Sequence, residues 1–223
     1  MIKYRPTPEI FKRVLSALVL APLTLVVIYL GGIYFQACMV FICVMMSIEW
    51  TRIIKSGKTL SSTDKFLWNI FGVIYVAMPC TCLLFIRGLP NGFEVILWLL
   101  LSVWATDIGA YFVGTTLKGP KIAPAISPKK TWSGLLGGAL CAGLVGYFFY
   151  NGNEFYHINF FKVSFAIAII SQCGDFLESA IKRYFNVKDS GNLIPGHGGI
   201  LDRVDGLVTS SVFVAILELL AMQ

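Results

Sequence analysis

Residues 93–114 read FEVILWLLLSVWATDIGAYFVG, a run long enough to cross a bilayer as one helix yet broken near its end by a carboxylate, Asp107. A spanning helix needs roughly 20 predominantly apolar residues. An ionisable side chain inside such a span costs roughly 2.5 to 3.5 kcal/mol even on lenient insertion scales, so it faces a polar cavity and marks a site. The run therefore points to lipid as the solvent and to a polar site within it.

The rest of the chain agrees. Of 223 residues, 57% are hydrophobic and only 13% charged, and the mean hydropathy is +0.75, outside the range of soluble globular domains. Seven apolar stretches can be marked, at 14–33, 34–50, 66–86, 93–114, 132–150, 160–177 and 206–222. They predict an all-α, polytopic bundle of about seven spans forming a single membrane domain, 1–223. Within it, 1–92 would hold the N-terminal spans and 93–223 the catalytic spans and their loops. The first stretch follows Lys12 and Arg13 like a signal peptide, but its length and the spans after it make it a retained helix.

The spans divide the polar segments into two alternating sets, which hold 16 and 2 of the lysines and arginines; Arg87 and Lys162 form the smaller set. Short cytoplasmic loops collect such residues, so the N-terminus is expected in the cytoplasm and the C-terminus outside. The net charge of +6 comes from small basic groups at the ends of apolar runs, not from one patch with interleaved aromatics, so no nucleic-acid partner is expected. The six cysteines lie in or beside apolar segments without zinc-site spacing and read as small hydrophobes. Gly57-Lys58-Thr59 resembles a P-loop tail, but Arg52 stands where the first glycine would be. His157 lies in an expected outer loop without acidic or cysteine neighbours and reads as a solvated residue.

Gly134, Gly138, Ala142 and Gly146 recur every four residues, a small-residue stripe that suits either internal helix packing or dimerisation. Asp175, Glu178, Ser179 and Lys182 fall at i, i+3, i+4 and i+7, one polar face of a helix, which is either a structural ion-pair network or part of a site. It leads into Arg183, Lys188 and Pro195-Gly196-His197-Gly198-Gly199, then Asp202, Arg203 and Asp205. Glycines around a histidine let backbone amides approach an anionic phosphate. Nearby aspartates can hold a divalent cation whose shell is completed by phosphate and water. Asp107 shares a face with Tyr111 and Gly114, and Lys129 and Lys130 follow, either as phosphate ligands or as positive-inside residues. Phosphate chemistry on a lipid and transport both fit these groups.

The stretch 179–205, SAIKRYFNVKDSGNLIPGHGGILDRVD, resembles the signature of the phosphatidate cytidylyltransferases, also called CDP-diacylglycerol synthases. The matching positions are Ser179, Lys182, Arg183, Lys188, Asp189, Gly191, Pro195, His197, Gly198, Gly199, Asp202, Arg203 and Asp205. The segments 107–114 and 127–134 resemble the family's other motifs, so the detailed likeness covers roughly 100–223. It implies conversion of CTP and phosphatidate to CDP-diacylglycerol and pyrophosphate in the cell inner membrane, a cytoplasm-facing cavity, a homodimer, and a magnesium requirement. Asp175 and Asp202 match the family's metal-binding aspartates, with potassium as a second cation there.

On this reading the attacking phosphate is already an anion, so the obstacle is to bring two polyanions together. Lys182, Arg183 and Arg203 are expected to neutralise phosphate oxygens, Ser179 to donate a hydrogen bond, and His197 to stand near the pyrophosphate or the nucleophile. Asp205 is expected to orient Arg203 or support the metal. Asp107, Lys129, Lys130, Lys188, Gly196, Gly198 and Gly199 are expected to complete the substrate pocket. An enzyme acting on an ether lipid would share this chemistry. A CDP-alcohol phosphatidyltransferase would need further aspartates beyond Asp205-Gly206, and none follows.

Overall fold

The computed structural model describes residues 8–57, 61–150, 159–191, 193 and 198–222. Lys58, Thr59, His157, Pro195, Gly196 and His197, all singled out above, lie outside them. Seven helices follow one another: α1 (Pro8–Leu30), α2 (Gly32–Ser56), α3 (Ser62–Gly88), α4 (Gly92–Thr116), α5 (Trp132–Tyr150), α6 (Phe160–Tyr184) and α7 (Leu201–Ala221). Each overlaps one of the seven apolar stretches, but the first, 14–33, runs past the end of α1 at Leu30 into α2, and the last, 206–222, ends one residue beyond α7. α2 to α7 are long and apolar enough to cross a membrane, while the apolar part of α1, Ser16–Leu30, is shorter.

Local chemistry sets the boundaries. Gly31 and Gly32 adopt φ of 59° and 47°, a left-handed pair that breaks α1 from α2 where residues with a Cβ would be strained. Ser61 and Asp64 form a reciprocal capping box at the start of α3, and the Asn159 side chain accepts from the Lys162 amide at 3.1 Å to start α6.

An antiparallel hairpin, β1 (Lys121–Ala123) and β2 (Ser127–Thr131), joins α4 to α5. The sequence reading treats this segment as a loop, because strands this short, flanked by Pro120 and Pro124 and with Pro128 inside the second, offer no hydrophobic alternation to read.

The core has two main parts. One packs α1, α2, α3, α4, α6 and α7 around Ile86, Leu99, Ile167 and Val214. The other gathers Trp50, Ile54, Tyr75, Ile181, Phe185 and Leu201, with Trp50 donating from Nε1 to the Trp68 carbonyl at 3.1 Å. This aromatic floor ties α2, α3, α6 and α7 together beneath the charged residues.

The small-residue stripe of α5 is spent inside the bundle. A Cβ on Gly134 or Gly138 would strike the carbonyl oxygens of Ala110 or Thr106 on α4, and one on Gly146 would strike Phe160 and Ser164 on α6. Close backbone approach substitutes here for the hydrophobic drive that lipid does not supply. The opposite face of α5 turns Leu136, Leu140 and Leu144 outward, as a lipid-facing surface requires.

Candidate functional site

α6 runs without a break to Tyr184, so Asp175, Glu178, Ser179 and Lys182 do form one stripe. Its end meets the start of α7. The Lys182 ammonium stands 2.6 Å from Asp202 Oδ1 and 3.1 Å from Glu178 Oε1, and all three side chains are buried. Asp202 Oδ2 accepts from the Ser190 amide, the Ser190 hydroxyl and the Gly199 amide, each at 2.9 Å. Bonds to an ionised acceptor are roughly twice as strong as neutral ones, so Asp202 is the knot that fastens Ser190 and Gly199 to α6.

A second carboxylate holds Ser190, Ile200 and Leu201 from α2. Glu49, 3% exposed, accepts from the amides of Ile200 (2.9 Å, Oε1) and Leu201 (2.9 Å, Oε2), and its Oε2 lies 3.0 Å from the Ser190 hydroxyl, whose single proton is shared between Glu49 and Asp202. The glycines make room for both carboxylates. A Cβ on Gly191 would meet Glu49, one on Gly199 would meet Ser190 Oγ and Glu49, and one on Gly198, at φ +84°, would meet Asp202. The sequence reading assigns Gly198 and Gly199 to the substrate; in this structure the Gly199 amide is directed to the chain's own Asp202.

Beside this knot lies a more open group. Lys130, placed by β2, reaches 2.5 Å from Asp175 Oδ2 and lies over the Phe176 ring at 4.3 Å. The Ser179 hydroxyl donates to Asp175 Oδ1 at 3.3 Å. Asp107 on α4 and Asp205 on α7 lie within electrostatic range of each other, of Asp175 on α6 and of Lys130, and Asp107 also of Arg203. The hairpin is pinned at its base, where Thr131 Oγ1 accepts from the Gly134 amide at 3.1 Å and Ser133 Oγ donates to the Lys118 carbonyl.

The structure thus brings Asp107, Lys130, Asp175, Ser179, Lys182, Asp202, Arg203 and Asp205 to one end of the bundle. Lys129, Arg183, Lys188 and Arg203 are exposed there, with Arg183 donating from Nη1 to the Val187 carbonyl at 3.0 Å. His197 and Gly196 fall outside the described residues. Sequence reasoning missed Glu49 and Ser190. Glu49 had a signal, since it is a lone carboxylate closing the apolar run 34–50 and meets the same test that exposed Asp107. Ser190 had none, because a serine beside glycine is ordinary loop composition.

Among the described residues no three His, Cys, Asp or Glu side chains converge to hold a metal ion by themselves. The donor set does suit a magnesium ion that takes one or two carboxylates and completes its octahedron with phosphate and water. Lysine ammonium groups already stand against Asp175 and Asp202, so a metal ion at either carboxylate would share it with a lysine. Exposed cations around partly paired carboxylates can gather and orient polyanions.

Comparison with known proteins agrees with this chemistry. The model of the cytidylyltransferase family matches residues 57–220, and the chain belongs to that family. Proteins named phosphatidate cytidylyltransferase resemble it over nearly their whole length. The one from Rickettsia bellii (strain RML369-C) is 36% identical, covering 95% of this chain and 91% of its own. Those from Brucella suis biovar 1 and Rickettsia conorii are 35% and 34% identical, covering 91% and 98% of this chain and 90% and 95% of theirs.

Proposed function

We propose that this chain transfers the cytidylyl group of CTP to phosphatidate, giving CDP-diacylglycerol for phospholipid synthesis. The observation that carries the reading is the joining of the 179–205 charged residues to Asp107 and Lys130 at one end of a bundle of spans, in a chain of this family. One substrate arrives from water and the other from the bilayer, and that end of the bundle is where both can meet.

In the reaction a phosphatidate oxygen attacks the α-phosphorus of CTP, one P–O bond forms, and the bond to the β-phosphate breaks with its electrons leaving on pyrophosphate. Magnesium, when bound, would neutralise triphosphate oxygens; Asp175 and Asp202 would hold it, with potassium as a second cation. The remaining work falls to positioning. Arg183, Arg203, Lys129 and Lys188 offer exposed cations to the phosphates. Lys130 and Ser179 orient Asp175, and Lys182 orients Asp202, so the role of Lys182 shifts from the phosphate to the carboxylate. Asp107 and Asp205 complete the acidic wall opposite Lys130, and His197 stands near the pyrophosphate or the nucleophile.

The topology in this proposal is N-terminus in the cytoplasm, C-terminus outside, and the site on the cytoplasmic face of the inner membrane, supported by the 16 to 2 distribution of basic residues. The active form is a homodimer. Its interface would use a surface other than the α5 stripe, which is already packed against α4 and α6.

Membranes containing the chain should convert labelled CTP and phosphatidate to CDP-diacylglycerol only with a divalent cation present. Asp202→Asn should lower the rate by at least about 100-fold. Wild-type rates in both Asp202→Asn and Asp175→Asn would remove these aspartates from the metal assignment.

A further inference from the structure

α7 begins without a cap of its own. Its N-cap residue is Ile200, whose side chain makes no capping hydrogen bond, although the first amides of any helix lack partners within it. The amides of Ile200 and Leu201 donate instead to Glu49, 151 and 152 residues earlier in the chain and on another helix. Glu49 is also joined to the reaction site through a single hydroxyl, since Ser190 Oγ lies 3.0 Å from Glu49 Oε2 and 2.9 Å from Asp202 Oδ2.

We infer that Glu49 is a positioning residue for cytidylyl transfer: it caps α7 and, through Ser190, fixes where Asp202 stands. The inference rests on the proposed reaction. Residue 49 lies outside the 57–220 region that the family model matches, so the site's support begins earlier in the chain than its chemistry.

The Ile200 and Leu201 amides facing Glu49 can only donate, and the two carboxylate oxygens accept one each. Glutamine has nearly the same shape but turns an amide N–H₂ toward one of those donors. With the amide nitrogen at the Oε2 position the bond from Leu201 is lost and the Ser190 contact reverses, and with it at the Oε1 position the bond from Ile200 is lost. Either orientation releases the segment that carries Asp202 while leaving the volume of the pocket unchanged. The surrounding glycines allow no compensating shift without contact, because Gly191 and Gly199 already lie against the Glu49 side chain.

The test is steady-state kinetics in detergent micelles, at saturating phosphatidate and varied CTP. Wild type, Glu49→Gln, Glu49→Asp, Ser190→Ala and the Glu49→Gln/Ser190→Ala double variant would be compared. A loss of folded enzyme lowers the rate but leaves KM where it was, whereas a displaced Asp202 moves KM as well. Glu49→Gln should raise the KM for CTP about tenfold and lower kcat/KM on the order of 100-fold. Glu49→Asp should recover part of the KM change. Ser190→Ala should shift KM in the same direction, and the double variant should be no worse than Glu49→Gln alone, the sign of one shared network. A KM within about twofold of wild type in the variants that retain activity, or strictly additive losses, would overturn the inference. If Glu49→Gln yields no folded protein, Glu49→Asp and Ser190→Ala decide on the same criterion. An inactive wild type would count against the proposed reaction instead, so the two failures are distinct.

Discussion

Lys182 separates Glu178 from Asp202, and all three side chains are buried. Removing a shared counter-ion strands carboxylates that water reaches poorly, at a cost of about 3 to 5 kcal/mol for a buried pair. Lys182→Met is expected to lower the melting temperature in detergent by several degrees or more and to abolish activity, while Glu178→Gln, which leaves the bond between Lys182 and Asp202 in place, should melt much closer to wild type. At this scale the sequence is a good guide to which residues gather and a poor guide to what each one touches. The helical spacing of Asp175, Glu178, Ser179 and Lys182 puts them on one face, as found. Nothing in that spacing says that Lys182 turns to Asp202 while Lys130 turns to Asp175, because the choice depends on how α7 and the hairpin dock.

At the scale of elements, α5 offers the sharpest contrast between its two faces. Gly138→Leu would drive a branched side chain into the Thr106 carbonyl, and overpacking of this kind costs about 1 to 3 kcal/mol or more. Leu140→Ala on the outward face, 54% exposed, should leave the melting temperature within about a degree of wild type, since lipid takes the place of the lost atoms. Thermal unfolding in one detergent compares the two directly. The helices were legible because lipid imposes a length on each apolar run. The hairpin was not, since three and five residues are too few for a period. The stripe of small residues was legible as a packing face but silent on which helices it would meet.

At the scale of the molecule, the alternation of basic and uncharged segments predicts which aqueous side each loop occupies. In a background without the six native cysteines, Leu117→Cys, at the exposed end of α4, should react with a membrane-impermeant thiol reagent only in inverted vesicles. Lys162→Cys, near the start of α6, should react only in intact right-side-out preparations. The opposite pattern would turn the protein over and place the site outside. The division of the chain at residue 92, drawn from where the recognisable motifs begin, does not describe how the parts depend on one another, because Glu49 crosses it to hold Ile200 and Leu201.

That crossing has a consequence for how the protein is made. The 151 residues that follow Glu49 up to and including Ile200 take a ribosome roughly 8 to 30 seconds to add. Through that interval α2 sits in the bilayer with its carboxylate lacking the amides that will later bind it. Arrival of the last helix is therefore the step that both locks the bundle and readies it for substrate, and a nascent chain halted before α7 is a set of inserted helices with no working centre.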